Sequence, residues 1–206
     1  MDVKDIVRDT YDAIVKQYFD EYYDELGDAV YYDKFITLVK NGTVLDLGCG
    51  NGKISRYFEE HGLKTIGYDI SPKMIDFGKS INPGLEMYCH DITQIPKQAT
   101  KVDGAIYAYS LFNLNKKQAE QSLKSLCKNM KKGGYVLLFL QKGSGEQMMP
   151  EPLCPQKQMY VKFYDEAEIT NLLSECGFKV LEIDLLQEDD SEALSEAIMI
   201  VMAQRI

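Results

Sequence analysis

The chain has 206 residues, 45% of them hydrophobic, enough for one large domain and well above the range of disordered chains. Its 23 Lys and Arg stand against 32 Asp and Glu, a formal net charge of −9; such a surface repels phosphate backbones, and with no basic stripe to offset it no nucleic-acid partner is expected. No apolar run approaches the roughly 18 to 20 residues needed to span a bilayer, and the opening MDVKDIVRDTYD lacks the apolar core of a secretory signal, so the expectation is a cytoplasmic protein with no membrane partner.

In chain order, Val3, Val7, Tyr11, Ile14, Tyr18 and Tyr22 recur at steps of three or four and predict an amphipathic helix ending before Gly27. A second helix is expected over 29–40. Beyond it the rhythm changes. Thr43 to Leu47 reads as a strand, Lys53 to His61 as a helix stopped by Gly62, and Lys64 to Tyr68 as the next strand. Ser71-Pro72 supplies an N-cap followed by proline at the first helical position, for a helix to about Ser80. Leu85 to Cys89 and Val102 to Tyr109 are the third and fourth strands. Asn115 caps a helix whose stripe is Ala119, Leu123, Leu126 and Met130, ending at Gly133-Gly134, and Tyr135 to Gln141 is a fifth, wholly apolar strand.

The stretch 142–158, KGSGEQMMPEPLCPQKQ, is the one long irregular segment; loops of this length in compact domains serve as lids or binding loops, or are disordered. Asp165 with Glu168 forms a capping-box pattern for a helix carrying Ile169, Leu172, Leu173 and Cys176, stopped by Gly177. The last two strands, Phe178 to Leu186 and Glu196 to Ala203, are too close for a crossover helix and predict an antiparallel pair around an acidic, solvated turn, EDDSEALSE. Alternating strands and helices with continuously apolar strands imply a parallel sheet covered on both faces. The expected fold is therefore α/β: a Rossmann-like, doubly wound, mostly parallel seven-stranded sheet with an antiparallel last strand. Residues 1–206 read as one domain, with an N-terminal helical cap over 1–40 and a lid or acceptor loop over 142–160.

Cys49, Cys89, Cys127, Cys154 and Cys176 are scattered, with no C-x-x-C pair, and neither His61 nor His90 clusters with them. No metal site or disulfide framework is expected; reduced thiols fit a cytoplasmic protein.

The informative segment is TVLDLGCGNG at 43–52. A phosphate-binding P-loop needs G-x-x-x-x-G-K-[ST], but Gly52-Lys53 is followed by Ile54 and Leu47 stands where the first glycine should be. The dinucleotide fingerprint G-x-G-x-x-G fails at its third glycine, which is Lys53. The pattern D-x-G-x-G-x-G over Asp46, Gly48, Gly50 and Gly52 matches without a gap. With GYDIS, CHDI and YAYSLFNL following in order, the chain resembles the class I S-adenosylmethionine-dependent methyltransferases over about residues 40 to 140.

The resemblance implies S-adenosyl-L-methionine as cofactor and a set of binding residues. Asp69, ending the second strand, would accept from the ribose hydroxyls, and Asp91 from the adenine amino group, with the Ile92 amide donating to the ring. Ile70 and Met74 would wall the adenine and ribose; for Met74, plain helix packing is the alternative. Asp46 would accept from loop amides and reach the ammonium, Gly48 and Gly50 would lie against the amino-acid end, and Ala108 and Tyr109 would line it. Tyr18 would meet the carboxylate or serve only as a half-buried aromatic, with Tyr11 a second choice for the same task.

No catalytic residue is assigned. Many small-molecule members of the family carry a histidine after the fourth strand, where this chain has Ser110-Leu111-Phe112-Asn113. The candidates are Asn113, to orient an acceptor, Tyr18, and His90, which either faces the cleft or packs as a side chain; His61 ends a helix away from it. The acceptor is expected to be a small, partly apolar molecule methylated on O or N. Its expected walls are Tyr11, Tyr18, Tyr22, Met148, Met149 and Tyr160. The alternatives are a cofactor-binding regulator without catalysis, a methyltransferase acting on a macromolecule, or other chemistry on the same fold.

Overall fold

The computed structural model describes residues 2–23, 26–187, 195 and 197–206. The N-terminal stripe forms α1 (Val3–Tyr22), capped by Asp2, whose carboxylate accepts from the Lys4 amide. α2 (Ala29–Val39) buries Tyr32, Phe35 and Val39. The alternation that follows is β1 (Thr43–Leu47), α3 (Lys53–Glu60), β2 (Lys64–Asp69), α4 (Pro72–Ile81), β3 (Glu86–Cys89), β4 (Val102–Tyr107), α5 (Lys116–Asn129) and β5 (Met130–Gln141). A hairpin of β6 (Glu146–Glu151) and β7 (Cys154–Lys162) precedes α6 (Glu166–Glu175), β8 (Phe178–Gln187) and β9 (Ala197–Arg205).

Seven strands make one sheet in the order β3-β2-β1-β4-β5-β9-β8. The first five pair in parallel, and β9 runs antiparallel to both β5 and β8, as the short connection between the last strands required. Residues 188–194 and 196, which hold most of the expected acidic turn and the expected first residue of the last strand, lie outside the described residues. Strand periodicity separates two cores. Val136, Leu138 and Leu140 of β5, with Met199 and Val201 of β9, face α5 and α6. Leu137, Phe139, Ile198 and Ile200 face α2 and α3, against Tyr32, Phe35 and Phe58.

Three elements and one helix cap differ from what the sequence predicts. The segment read as an irregular loop over 142–158 is largely the β6–β7 hairpin, with Met149 opposite Met159 and Pro150 opposite Gln158. Pro150, Pro152 and Pro155 suggest a loop, but a two-stranded ribbon has two open edges where a missing amide costs no ladder bond. Met130 is buried as expected yet begins β5 opposite Val102 rather than ending α5, and Gly133, at φ +78°, sits in the register break that follows. The fourth strand stops at Tyr107, because Tyr109 is left-handed at φ +59°. Only half of the α6 capping box forms: Asp165 accepts from the Glu168 amide at 2.8 Å, while the Glu168 carboxylate turns to Lys162. The box at Asn115 and Gln118, whose glutamine the sequence reading did not single out, is complete.

β1 lies between β2 and β4, so the connections after β1 and β4 diverge to opposite faces and leave a crevice at the carboxyl ends of the strands. α1 closes that crevice. Asp12 accepts from the Ser71 hydroxyl at 2.5 Å and the Lys73 amide at 3.2 Å, tying α1 to the start of α4, and the Thr10 hydroxyl donates to the Gln158 carbonyl at 2.9 Å, tying it to the hairpin. No helix among the described residues is long and apolar enough to cross a membrane.

Candidate functional site

The crevice is built on the glycine loop. Leu47 ends β1, and the Gly48 and Cys49 amides both donate to the Tyr68 carbonyl of β2, at 2.7 and 3.1 Å. Gly48 has φ +85°, and a Cβ there would lie 2.3 Å from the Ser110 Cβ, so only glycine lets the loops after β1 and β4 touch. Ser110 locks that contact by donating to the Leu47 carbonyl. Gly50 differs: at φ +52° a Cβ would meet nothing within 4 Å, because this part of the loop faces open space.

Three carboxylates surround that space. Asp69 is tied down at both oxygens, accepting from the Gly50 amide at 2.9 Å and the Ser71 amide at 2.8 Å. Burial raises its pKa, partly offset by those amides. Asp46, 1% exposed, accepts from the Ser55 hydroxyl at 2.7 Å, while its other oxygen is buried without a partner among the described residues. Burial lifts its pKa to about 7, opposed by Ser55 and reinforced by Asp69. The expected bonds from loop amides to Asp46 are absent among the described residues, since the Gly50 amide has gone to Asp69 and Asp46 is held by α3 instead. Partial burial disfavours the ionised form of Asp91, but Lys4 at 2.6 Å and the Thr93 amide at 2.8 Å outweigh it and hold its carboxyl below the ordinary range.

Two adjoining cavities open here. The first is lined by Asp69, Ile70, Met74, Asp91, Ile92 and Asn113, and shares Gly48, Gly50, Ala108, Tyr109, Tyr11 and Tyr18 with the second. The structure thus gathers every expected cofactor residue; Asp46 faces the second cavity. That cavity, of about 540 Å³, also reaches Tyr22, Tyr32, Phe112, Glu151, Leu153 and Met159. Tyr18 packs edge-on to both Tyr11 and Tyr22, at 6.0 and 5.1 Å between ring centres. Burial pushes the Tyr11 and Tyr18 phenols up, so both stay protonated at neutral pH. The Tyr109 hydroxyl donates to Asp28 at 2.5 Å and its ring stacks on Phe139, which fixes its left-handed backbone at the cavity edge.

Among the catalytic candidates, Asn113 is 6% exposed and lines the first cavity, its amide nitrogen 3.4 Å from the Tyr11 hydroxyl and its oxygen without a partner among the described residues. His90 lines neither cavity. Its Nε2 pairs with the Gln94 carbonyl at 2.8 Å and its ring lies beside Tyr68, so packing, not the cleft, accounts for it. His61 pairs with the Tyr57 carbonyl on the surface. Met148, Met149 and Tyr160 do not line the acceptor side: Met148 and Tyr160 pair on one face of the hairpin, with Tyr160 turned to Glu146 at 2.5 Å, while Met149 and Met159 share the other face and only Met159 reaches the cavity. Sequence reasoning missed Tyr32 and Glu151. Tyr32 was accessible through its helical spacing with Phe35 and Val39; Glu151 had no signal, lying among prolines in a segment read as a loop.

A family model described as a methyltransferase domain matches residues 44–134, the span that runs from the glycine loop through Asp69, Asp91 and Tyr109. Over that span the chain carries a methyltransferase domain similar to those of the class I S-adenosylmethionine-dependent methyltransferases. This methyltransferase is 24% identical over 161 residues to an uncharacterized methyltransferase of Oceanobacillus iheyensis, covering 77% of this chain and 68% of the relative. It is 26% identical over 166 residues to a ubiquinone biosynthesis O-methyltransferase of Coxiella burnetii, covering 74% and 70%. For other relatives the match spans as little as 45% of their length. Its fold is shared with the 1,6-didemethyltoxoflavin-N1-methyltransferase of Burkholderia thailandensis, solved with its substrate and S-adenosylhomocysteine: TM-score 0.73, 15% identity, covering 97% of this chain and 87% of that one.

The donor set of the methyltransferase suits S-adenosylmethionine, which carries an ammonium, a ribose diol and a sulfonium but no phosphate. Acids line the crevice, the partnerless Asp46 oxygen waits for a donor, and Gly50 leaves open the space a side chain would take.

Proposed function

We propose that this methyltransferase moves a methyl group to O or N of a small, partly apolar molecule by in-line displacement. The observation that carries the proposal is the second cavity: about 540 Å³, it takes in the glycine loop that would hold the cofactor's amino-acid end and continues between tyrosines, with space for a small molecule beside it. A ubiquinone biosynthesis O-methyltransferase among the relatives and a toxoflavin-type N-methyltransferase among the structural neighbours support the same scale of acceptor.

In this reading S-adenosylmethionine supplies a methyl group already activated on a sulfonium, and the chain aligns the acceptor and excludes water. Asp69 would hold the ribose hydroxyls, Asp91 and the Ile92 amide the adenine edge, and Ile70 and Met74 its faces. Asp46 would meet the ammonium, Gly48, Gly50, Ala108 and Tyr109 would line the amino-acid end, and Tyr18 would donate to the carboxylate. The protein works as a single unit in which α1 and the β6–β7 hairpin form the lid, and Asn113 acts from the first cavity through the Tyr11 hydroxyl that both cavities share.

The test is incubation of purified protein with labelled S-adenosylmethionine and, separately, small phenols and amines, bulk tRNA and a protein extract. Labelling of small molecules supports the proposal. Efficient labelling of RNA or protein alone would replace it with a macromolecular acceptor, and tight S-adenosylhomocysteine binding with no transfer to anything would favour a regulator.

A further inference from the structure

The hairpin tip that reaches into the acceptor cavity carries one acid. Glu151 faces Cys154 across the turn formed by Pro152 and Leu153, and all three residues from Glu151 to Leu153 line the cavity. Glu151 is 5% exposed, deeper than a loop carboxylate normally sits. Its Oε1 accepts from the Leu153 amide at 3.3 Å, and Oε2 makes no hydrogen bond among the described residues. Its second oxygen is therefore open to a donor from a molecule in the cavity.

We infer that Glu151 accepts the proton of the acceptor: it is the general base of the transfer, and the acceptor is a flat aromatic molecule carrying a hydroxyl. This rests on the reading of the site as a small-molecule methyl-transfer site. The aromatic part follows from the walls: Tyr11, Tyr18, Tyr22 and Phe112 offer ring faces and edges to a flat ligand. The hydroxyl follows from the presence of a base: a neutral amine attacks through its lone pair without one, whereas a hydroxyl oxygen becomes a good nucleophile only as its proton leaves. The acceptor oxygen bonds the methyl carbon, the carbon–sulfur bond breaks with its electron pair staying on sulfur, and the hydroxyl proton passes to Glu151. One positive and one negative charge vanish together, so the step leaves no separated ions in the cavity.

The proton affinity of Glu151 fits the task. Burial pushes its carboxyl up, opposed by the Leu153 amide, and a base titrating closer to the working pH is the more effective one. Tyr11 and Tyr18, across the cavity on α1, are the ionisable groups electrostatically coupled to it. Both are held protonated, so neither competes for the proton. Glu21, Asp28, Asp46 and Lys53 line the remaining walls.

The experiment compares wild-type, Glu151→Gln and Glu151→Asp with catechol and benzylamine as probes. It reads S-adenosylhomocysteine binding by calorimetry, catechol binding to the S-adenosylhomocysteine complex by ligand-observed NMR, and methyl transfer across pH. The expected results are labelling of catechol but not benzylamine, S-adenosylhomocysteine affinity within twofold in all three proteins, and kcat about a hundredfold lower in Glu151→Gln. The Asp variant recovers part of the rate, the acidic limb of the kcat profile disappears in Gln, and catechol binding, which tightens with pH in wild-type, becomes flat. Glu151→Gln within threefold of wild-type, an unchanged pH profile, or labelling of benzylamine in place of catechol would overturn the inference. If S-adenosylhomocysteine binds but neither probe is labelled, the acceptor class is wrong while the cofactor site stands; if it does not bind wild-type, the reading of the site itself fails.

Discussion

The carboxylate of Asp69 binds the amide of Gly50 at 2.9 Å, so the acid that ends β2 fixes the loop that follows β1. Its other oxygen holds the Ser71 amide at the start of α4. One side chain therefore sets the spacing of the two elements that flank the cofactor crevice. Replacing it by asparagine turns an NH₂ group toward one of those amides and leaves two donors facing each other in a buried place. The expected cost is about 1–3 kcal/mol of stability, with S-adenosylhomocysteine affinity at least tenfold weaker. Thermal unfolding and calorimetric titration of Asp69→Asn check both; wild-type affinity in that variant would remove Asp69 from the site.

Gly48 and Gly50 have the same left-handed backbone but different surroundings, and alanine separates the two effects. At Gly48 the new Cβ would sit 2.3 Å from the Ser110 Cβ, so backbone strain and collision add and the loss is at least about 2 kcal/mol. At Gly50 only the backbone cost remains, about 1 kcal/mol, yet the methyl group occupies the space opened for the cofactor. In a chain of this size each kcal/mol lowers Tm by about 2–4 °C. Gly48→Ala should therefore unfold earlier, and Gly50→Ala should fold but bind S-adenosylhomocysteine poorly. Equal Tm losses would contradict the collision with Ser110.

The contrast between these glycines marks what the sequence could and could not convey. The sheet and the cofactor wall were legible because strand spacing, caps and the D-x-G-x-G-x-G pattern are local: Asn115 capped its helix and Asp69 ended its strand as their neighbours required. The acceptor side was not. Whether Met148 or Met159 faces the cavity depends on the register of a hairpin whose prolines disguise it as a loop, and on its packing against α1, far away in the chain. Asp46 shows the same limit at atomic scale: the Gly50 amide pairs with Asp69 of the neighbouring strand, and Asp46 is left to Ser55.

That hairpin is anchored by a buried ion pair. Lys162 is 5% exposed, 2.9 Å from Glu168 and 3.0 Å from the Phe163 carbonyl, joining the end of β7 to the first turn of α6. Lys162→Ala leaves a half-buried carboxylate and a carbonyl without their donor, and should cost about 2–4 kcal/mol in urea unfolding. Lys162→Met combined with Glu168→Gln removes both charges and keeps the volume, and should recover most of that loss. A single variant as stable as wild-type would mean the hairpin is held by α1 alone.

Asp46 makes stability depend on pH. Its carboxyl titrates near about 4 when unfolded and is raised to about 7 in the folded chain, chiefly by burial. Between those values the folded state binds more protons than the unfolded one, so this group's contribution is complete below about pH 4 and is lost as pH rises through about 7. Buried Asp69 and Glu151 are raised as well and act in the same direction. The informative quantity is therefore the difference between wild-type and Asp46→Asn. The wild-type Tm should fall between pH 5 and 8 by several degrees more than that of the variant, whose neutral amide carries no charge to bury. Binding reverses the preference: an ammonium beside Asp46 favours its ionised form, so S-adenosylhomocysteine should release protons near neutral pH. Calorimetry in buffers of different ionisation enthalpy measures that release directly. Equal pH dependence in the two proteins, or binding without proton release in wild-type, would mean that Asp46 is already ionised or does not meet the ammonium.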